Sequence, residues 1–495
     1  MNKQTSNTDK AIKGMSSQTL VTVVLGVVEV VSFSIMSRLL TQEDFGYYAA
    51  ITAITTVFAS FSETGIGSAI VQQKELSKRF VDNAFTISLL FGSFISILLL
   101  VLAHPLSRSV ADETMAIPLM LMSGTLLLNC LTSVSTSIMH RKLQFLRIGS
   151  IRLVALVVTT VIAIWLACCG YGYYAIITKA ILTSVITFFL SLVLCNTKFS
   201  LALDGANFKK IFSFSGWLMA SVAFRNIAHQ IDRLLMPRLF SVSLLGAYNR
   251  PKDFVEQVST KASGIFDSAL FPVLSSLQNN IQVLNSSFRR SLYFMNMFSL
   301  LLSFAFMFNS DLLIRVFFGE QWLHLRPILF VVSLSVLFNF DGRLADCYLR
   351  SLAMTKQQFF FRIFETVLTI IGVVLGSKWD LLGVAIGVLL TNAIAKMIKV
   401  LFVGVKVNMD PGTALTIILS SWRYVLLFAP ICIIAYIYLP TTWGGDIAMA
   451  LIFVLTTGFV FFFIPGFVGD VYKEDVYLKV KSFIVNKFNH LCGHR

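Results

Sequence analysis

The apolar residues of this chain come in long blocks of about 20, the length at which a helix crosses a bilayer core of about 30 Å. Such blocks recur along most of its 495 residues. Composition agrees with that reading. The chain is 56% hydrophobic and 13% charged, roughly half the charged fraction of an ordinary soluble domain. The expected fold class is therefore an all-α polytopic membrane protein. Fourteen transmembrane helices are predicted, near 18–39, 45–71, 84–103, 116–138, 149–169, 173–195, 212–236, 246–275, 291–309, 327–348, 362–377, 382–403, 418–438 and 446–464. No connection between them is long enough for an extramembrane domain. The polar start of the chain has no cleavage pattern, so the first helix is expected to insert as it stands.

Charge sets the expected orientation. The formal net charge is +15. Lys and Arg do not cluster on one soluble face, which argues against a nucleic-acid partner. Instead, most of them fall on one side when the loops are assigned alternately. That side holds "QQKELSKR" (72–79), "HRKLQFLR" (140–147), "NFKK" (207–210), "FRR" (288–290) and the tail with Lys473, Lys479, Lys481 and Lys487. Basic loops stay in the cytoplasm, so both termini are expected there. The tail over 471–491 has apolar residues at helical spacing opposite its lysines, the pattern of a helix lying along a membrane surface. The seven cysteines are scattered, without metal-site spacing or a disulfide framework. No Walker sequence is present.

A repeat appears at an offset of 200 residues. "SRLLTQEDFGYY" (37–48) aligns with "PRLFSVSLLGAY" (237–248), pairing Arg38 with Arg238, Leu39 with Leu239, Gly46 with Gly246 and Tyr48 with Tyr248. Ser68 and Ala69 pair with Ser268 and Ala269 without a gap. The offset covers an even number of predicted helices, so both halves keep one orientation. Duplication of this kind is common in transporters, with the substrate site at the repeat interface. The expected layout is an N-terminal lobe (1–200, helices 1–6), a C-terminal lobe (201–405, helices 7–12), and two extra helices with a basic cytoplasmic tail (406–495).

The segment "SVAFRNIAHQIDRLLMPRL" (221–239) is the most unusual. On a helical wheel Arg225, Asn226, His229, Gln230, Asp232 and Arg233 share an arc of about 160°, with Phe224, Ile227, Ala228, Ile231, Leu234 and Leu235 opposite. The next helix repeats the pattern. Lys252, Asp253, Glu256, Gln257, Thr260, Ser263 and Asp267 share about 140°, and Lys261 sits at the border. Further charges fall within predicted spans: Glu29, Glu63, Lys179, Asp341, Arg343, Asp346, Glu365 and Lys396. Lipid cannot face such groups, because a charge at the bilayer centre costs at least about 2.5–3.5 kcal/mol. Local ion pairing explains any one of them; two wide polar faces point to a water-filled substrate cavity. Arg225, Arg233, Lys252 and Lys261 give it a cationic contribution suited to an anionic substrate such as a diphosphate. The candidate cavity set is Arg225, His229, Asp232, Arg233, Lys252, Asp253, Glu256, Lys261, Asp267, Glu29, Glu63, Asp341 and Arg343. No catalytic group, metal or cofactor is expected; Asp232, Glu256 and Asp267 are candidates to carry coupling protons or Na+. Gly65 and Gly67, and Gly372 to Gly376, are expected to permit close helix packing.

"SRLLTQEDFGYYAA…FSETGIGSAIVQ" (37–72) resembles the opening hairpin of Wzx-type polysaccharide flippases of the WzxC-like branch. "DRLLMPRLFSVSLLGAYNR" (232–250) is similar to the equivalent hairpin of their second lobe, with Pro237 where the family has a glycine. The resemblance runs over nearly the whole chain and is specific in these two stretches. It implies a member of the multidrug/oligosaccharidyl-lipid/polysaccharide exporter superfamily, with two six-helix lobes in a V. It also implies a bacterial inner-membrane transporter, not an enzyme. Such a protein passes undecaprenyl-diphosphate-linked oligosaccharide across the bilayer by alternating access, with membrane lipid and polysaccharide polymerase machinery as partners. A cation-coupled drug exporter of the same fold is the nearest rival, and should have an acid-dominated, more apolar cavity. A membrane glycosyltransferase or polymerase is a third reading; it would place catalytic groups in large outer loops.

Overall fold

The structure, a computed structural model, describes residues 21–463 apart from 22–23, 63–64, 74–75, 111, 198, 203–222 and 279. The tail over 471–491, Glu63 and the start of the helix predicted at 212 lie outside the described residues. Everything regular within them is helical. The helices are α1 over 24–39, α2 Gln42–Ser62, α3 Gly65–Gln72, α4 Lys78–Val110, α5 Ala116–Arg141, α6 Phe145–Cys168, α7 Tyr173–Cys195 and α8 over 223–239. They continue with α9 Val242–Ser276, α10 Ile281–Phe308, α11 Ser310–Leu313, α12 Arg326–Ser351, α13 Thr355–Gly376, α14 Asp380–Lys406, α15 Pro411–Tyr438 and α16 Trp443–Phe463. Among the described residues eight helices are long and apolar enough to cross a membrane, or nine if the bent α15 is one span. The helix α9 is not among them, because its charged stripe interrupts the apolar run.

The chain divides into two compact units. The first is Met1–Asn249 with Phe317–Gly319; the second is Arg250–Val316 with Glu320–Arg495. The first unit packs α3 to α7 around Ile70, Phe80, Ile87, Val134, Ile138 and Ile151. The second packs α10, α12, α15 and α16 around Leu300, Phe304, Leu337, Phe428, Cys432 and Phe453. Edge-to-face rings organise that core: Phe428 meets Phe304 at 5.8 Å and Phe453 at 5.7 Å between centroids. Many large apolar side chains remain exposed, as on Phe94, Val101, Val193 and Leu455. In a chain with these helices, that is the surface lipid covers.

Close packing falls where the glycines predict it. A Cβ on Gly67 would lie 2.6 Å from Ser137 Oγ on α5, and one on Gly372 would lie 2.6 Å from Gly387 O on α14. Gly376 and Gly383 meet in the same way, so α13 and α14 run against each other with little more than backbone at the contact.

The repeat has a local structural counterpart. One helix ends at 39 and its match at 239; the next begins at Gln42 and Val242. Thr41 and Asp44 exchange bonds in a capping box, Thr41 N donating to Asp44 Oδ2 (2.9 Å) and Asp44 N to Thr41 Oγ1 (3.2 Å). Ser241 takes the place of Thr41 in the second copy, and accepts from Leu244 N at 3.4 Å. The two copies also touch. A Cβ on Gly46 would collide with the Val242 carbonyl, and one on Gly246 with the Gln42 carbonyl. The contact is reciprocal, each glycine meeting the first residue of the other copy's helix.

Candidate functional site

The helix α8 places its six polar residues at different depths. Arg225 and His229 are exposed, Asn226 and Gln230 half-buried, and Asp232 and Arg233 buried. Asn226 Nδ2 donates to Ser60 Oγ on α2 at 2.8 Å. Asp232 is tied down: its Oδ1 accepts from Arg233 N at 2.9 Å and its Oδ2 from the Tyr248 hydroxyl at 3.2 Å. Tyr248 is itself buried. A buried carboxylate with two donors is positioned, whereas Arg225 and His229 present their charge and ring at the helix surface. Glu29, on α1 in the same unit, is half-buried.

In the second unit the stripe on α9 meets α12. Lys252 Nζ lies 3.7 Å from Glu256 Oε1 one turn on, and Asp253 is half-buried beside them. Arg343 Nη2 donates to Thr260 Oγ1 at 2.7 Å, and Lys261 is exposed next to that bond. Asp267 lies on α9, but its side chain is outside what the structure describes. Asp341 is buried among neutral groups. Ser421 Oγ donates to Asn296 Oδ1, and Asn296 Nδ2 donates to Asp341 Oδ2 at 2.9 Å, a relay joining α15, α10 and α12.

A second cluster carries more charge than the sequence reading assigned it. Asp346, Arg362, Glu365 and Lys399 form a closed ring in which each acid bridges both bases. Lys399 Nζ lies 2.5 Å from Glu365 Oε1 and 3.3 Å from Asp346 Oδ1. Arg362 lies 2.9 Å from Glu365 Oε2 and pairs at Nη2 with Asp346 Oδ2. The Lys399 side chain is 1% exposed. Gln358 adds a bond to Asp346 at 3.3 Å. Lys396, one turn from Lys399, donates instead to Asn339 Oδ1, and Gly342 leaves room for its stem. The ring is neutral overall, so it holds α12, α13 and α14 together rather than offering net charge to a ligand. Asp346, Glu365 and Lys396 stood out in the sequence; Arg362 and Lys399 did not. Arg362 fell at the edge of the span predicted from 362, while α13 begins at Thr355. The available signal was the i,i+3 spacing of Arg362 with Glu365.

Among the described residues no group of three or more His, Cys, Asp and Glu side chains is placed to hold a metal ion. The described cysteines are thiols outside any disulfide: Cys130, Cys195, Cys347 and Cys432 are buried, Cys168 and Cys169 exposed.

Apolar helices with charged groups gathered on α8, α9 and α12 define a multi-pass membrane protein. Its fold is shared with solved membrane proteins. The inward closed conformation of the lipid II flippase MurJ matches with a TM-score of 0.72 over 90% of this chain and 98% of that one, at 16% identity. An inward-facing multidrug resistance MATE transporter of the MOP superfamily matches with 0.66 over 80% and 98%, at 14% identity. Residues 35–327 match the family described as polysaccharide biosynthesis protein, and the chain belongs to that family. Its relatives include the lipopolysaccharide biosynthesis protein WzxC of Escherichia coli (strain K12), 22% identical over 86% of this chain and 87% of that protein. The succinoglycan biosynthesis transport protein ExoT of Rhizobium meliloti (strain 1021) is 22% identical, with 70% of each chain covered. The teichuronic acid biosynthesis protein TuaB of Bacillus subtilis (strain 168) is 21% identical over 68% of this chain and 71% of that one.

Proposed function

We propose that this chain is a flippase that carries an undecaprenyl-diphosphate-linked oligosaccharide across the bacterial inner membrane by alternating access, in surface polysaccharide biosynthesis. The observation that carries the reading is that a chain of the polysaccharide biosynthesis family places basic groups on polar faces within otherwise apolar helices: Arg225 on α8, Lys252 and Lys261 on α9, Arg343 on α12. Guanidinium and ammonium groups there suit a diphosphate, while the exposed apolar surface suits a prenyl tail. The names of relatives point the same way, since ExoT is named a transport protein and MurJ a lipid II flippase.

The finer layout belongs to the same proposal: fourteen helices, with lobes at 1–200 and 201–405, a C-terminal pair and tail at 406–495, and both termini cytoplasmic. Coupling to protons or Na+ falls to the carboxylates of the polar faces, Asp232, Glu256 and Asp267, with Asp341 and its relay as a further candidate. Polymerase machinery is the expected partner downstream. The rival of the same fold is a cation-coupled drug exporter. Reconstitution in liposomes containing fluorescent lipid-linked oligosaccharide separates the two. The proposal expects the label to reach the opposite leaflet only with the protein present. Export of cationic dyes with no movement of the oligosaccharide would establish the rival.

A further inference from the structure

A polar pocket lies apart from the charged stripes, at one end of the second unit's aromatic core. Its walls include Asn309, Asp311, Arg326, Tyr436, Thr441 and Asp446. The cavity has a volume of ≈ 30 Å³, room for one or two waters or a small ion. The local sequence explains how it forms. The helix α10 stops at Phe308, and Asn309 closes its end by donating from Nδ2 to Ala305 O at 2.8 Å. The short α11 follows and runs into a π-helical turn, Ile314–Phe318. Such turns widen the backbone and often re-aim a side chain at a functional position. Here the turn carries Arg315, which pairs with Asp446 at 2.8 Å and with Glu320 at 2.8 Å, and donates to Thr441 O at 2.8 Å. Arg326 pairs with Asp311 Oδ2 at 3.1 Å and covers the Tyr436 ring at 4.7 Å.

Two features remain after these bonds are assigned. The first is orphan oxygen. Asp311 is 9% exposed and Asp446 6%, so both carboxylates have lost their water. Asp311 Oδ1 has no hydrogen-bond partner, and neither does Asn309 Oδ1. Both residues line the pocket. Leaving such acceptors unmet costs about 1–3 kcal/mol each, more for a charged group. The second is charge. Asp311, Glu320 and Asp446 supply three carboxylates against the two guanidiniums of Arg315 and Arg326. The Glu320 side chain is 64% exposed and lies outside the pocket wall, so Arg315 is shared between a solvent-facing carboxylate and Asp446 and does not fully offset the two acids that line the pocket, Asp311 and Asp446.

We propose that this pocket binds one small monovalent cation, an alkali-metal ion, with Asp311 Oδ1 and Asn309 Oδ1 as ligands and Asp446 as counter-charge. The ion ties the turn before α16 to the end of α10, and so braces the C-terminal helix pair against the rest of the unit. It is a structural site, and it does not rest on the transport reading.

The test uses the purified full-length protein in detergent. Its thermal unfolding midpoint is followed by intrinsic fluorescence while choline chloride is replaced by NaCl or KCl at constant ionic strength. The expected result is a rise of the midpoint that saturates with Na+ or K+, as it must for a ligand that binds the folded state. Asn309→Ala removes one ligand oxygen without touching an ion pair. It should raise the half-saturating concentration about tenfold, as expected for loss of about 1.4 kcal/mol of binding. Asp311→Asn should abolish the response, even though its starting midpoint is lower. A midpoint indifferent to the identity of the cation overturns the proposal. So does a response that Asn309→Ala and Asp311→Asn leave unchanged, or one shown only by Ca2+ or Mg2+.

Discussion

The helix over 223–239 and the ring around Lys399 both set charges inside apolar helices, and they treat them in opposite ways. On α8 the basic residue nearest the start of the stripe, Arg225, is exposed, and only Asp232 and Arg233 are drawn in. In the ring, two acids and two bases satisfy one another and Lys399 is 1% exposed. A charge that is fully paired has no free energy left to give a substrate. A charge at an exposed position is one that a ligand can reach. The comparison separates charges that build the fold from charges that can act on a ligand, although composition treats them alike.

The sharpest way to break that comparison is to break the ring. Lys399→Ala leaves Asp346 and Glu365 with one base, and removal of one member of a buried pair costs about 3–5 kcal/mol. The expected outcome is a large loss of membrane abundance, and an unfolding midpoint well below that of the parent protein. Arg225→Ala should leave both nearly untouched. Equal abundance of the two variants would show that the ring holds nothing together. Lys399→Ala combined with Glu365→Ala should recover part of the loss, because the remaining Asp346–Arg362 pair is again balanced.

A second perturbation acts on backbone rather than charge. Gly246→Val sets a branched side chain against the Gln42 carbonyl, where even a Cβ does not fit. Overpacking of this kind costs about 1–3 kcal/mol. Gly46→Val should cost about as much, since its Cβ meets the Val242 carbonyl in the reciprocal position. The measurement is the unfolding midpoint of each variant beside Gly264→Ala, whose Cβ meets nothing within 4 Å. A cost at one glycine alone would mean that the two copies of the repeat do not share the contact evenly.

These elements also show what the sequence could reveal. Helices, apolar faces and glycine contacts depend on period and side-chain size, and both can be read along the chain. The hairpin repeat was legible because Gly46 and Gly246 must stay glycine for the same reason, the approach of a carbonyl. The membership of the ring was not legible. Lys399 pairs with residues 53 and 34 positions away, and no periodicity specifies a partner on another helix. The wheel of α8 gathered Arg225 and Asp232 on one polar face, yet one is exposed and the other buried. A wheel gives direction around one helix and says nothing of what packs there, in this case the hydroxyl of Tyr248.

The smallest expected effect bears most directly on function. Arg225 and Arg233 are two turns apart, about 12 Å along the helix, too far for both to grip one phosphate. Their burial now separates them: Arg225 is exposed, while Arg233 is 9% exposed beside the anchored Asp232. Arg225→Ala should therefore lower oligosaccharide transport about tenfold, the equivalent of about 1.4 kcal/mol, with abundance unchanged. Arg225→Lys should keep part of the activity, since the charge survives and the bidentate fork does not. Arg233→Ala should lower transport and abundance together, because a buried group is lost with the contacts around it. Leu235→Ala, on the apolar side of α8, should leave transport per molecule as it was. The assay scores export of labelled lipid-linked oligosaccharide against the amount of protein in the membrane. If Arg225→Ala transports normally, the exposed end of the stripe does not meet the substrate. The cationic contribution then has to come from α9 and α12, where Lys261 and Arg343 flank Thr260.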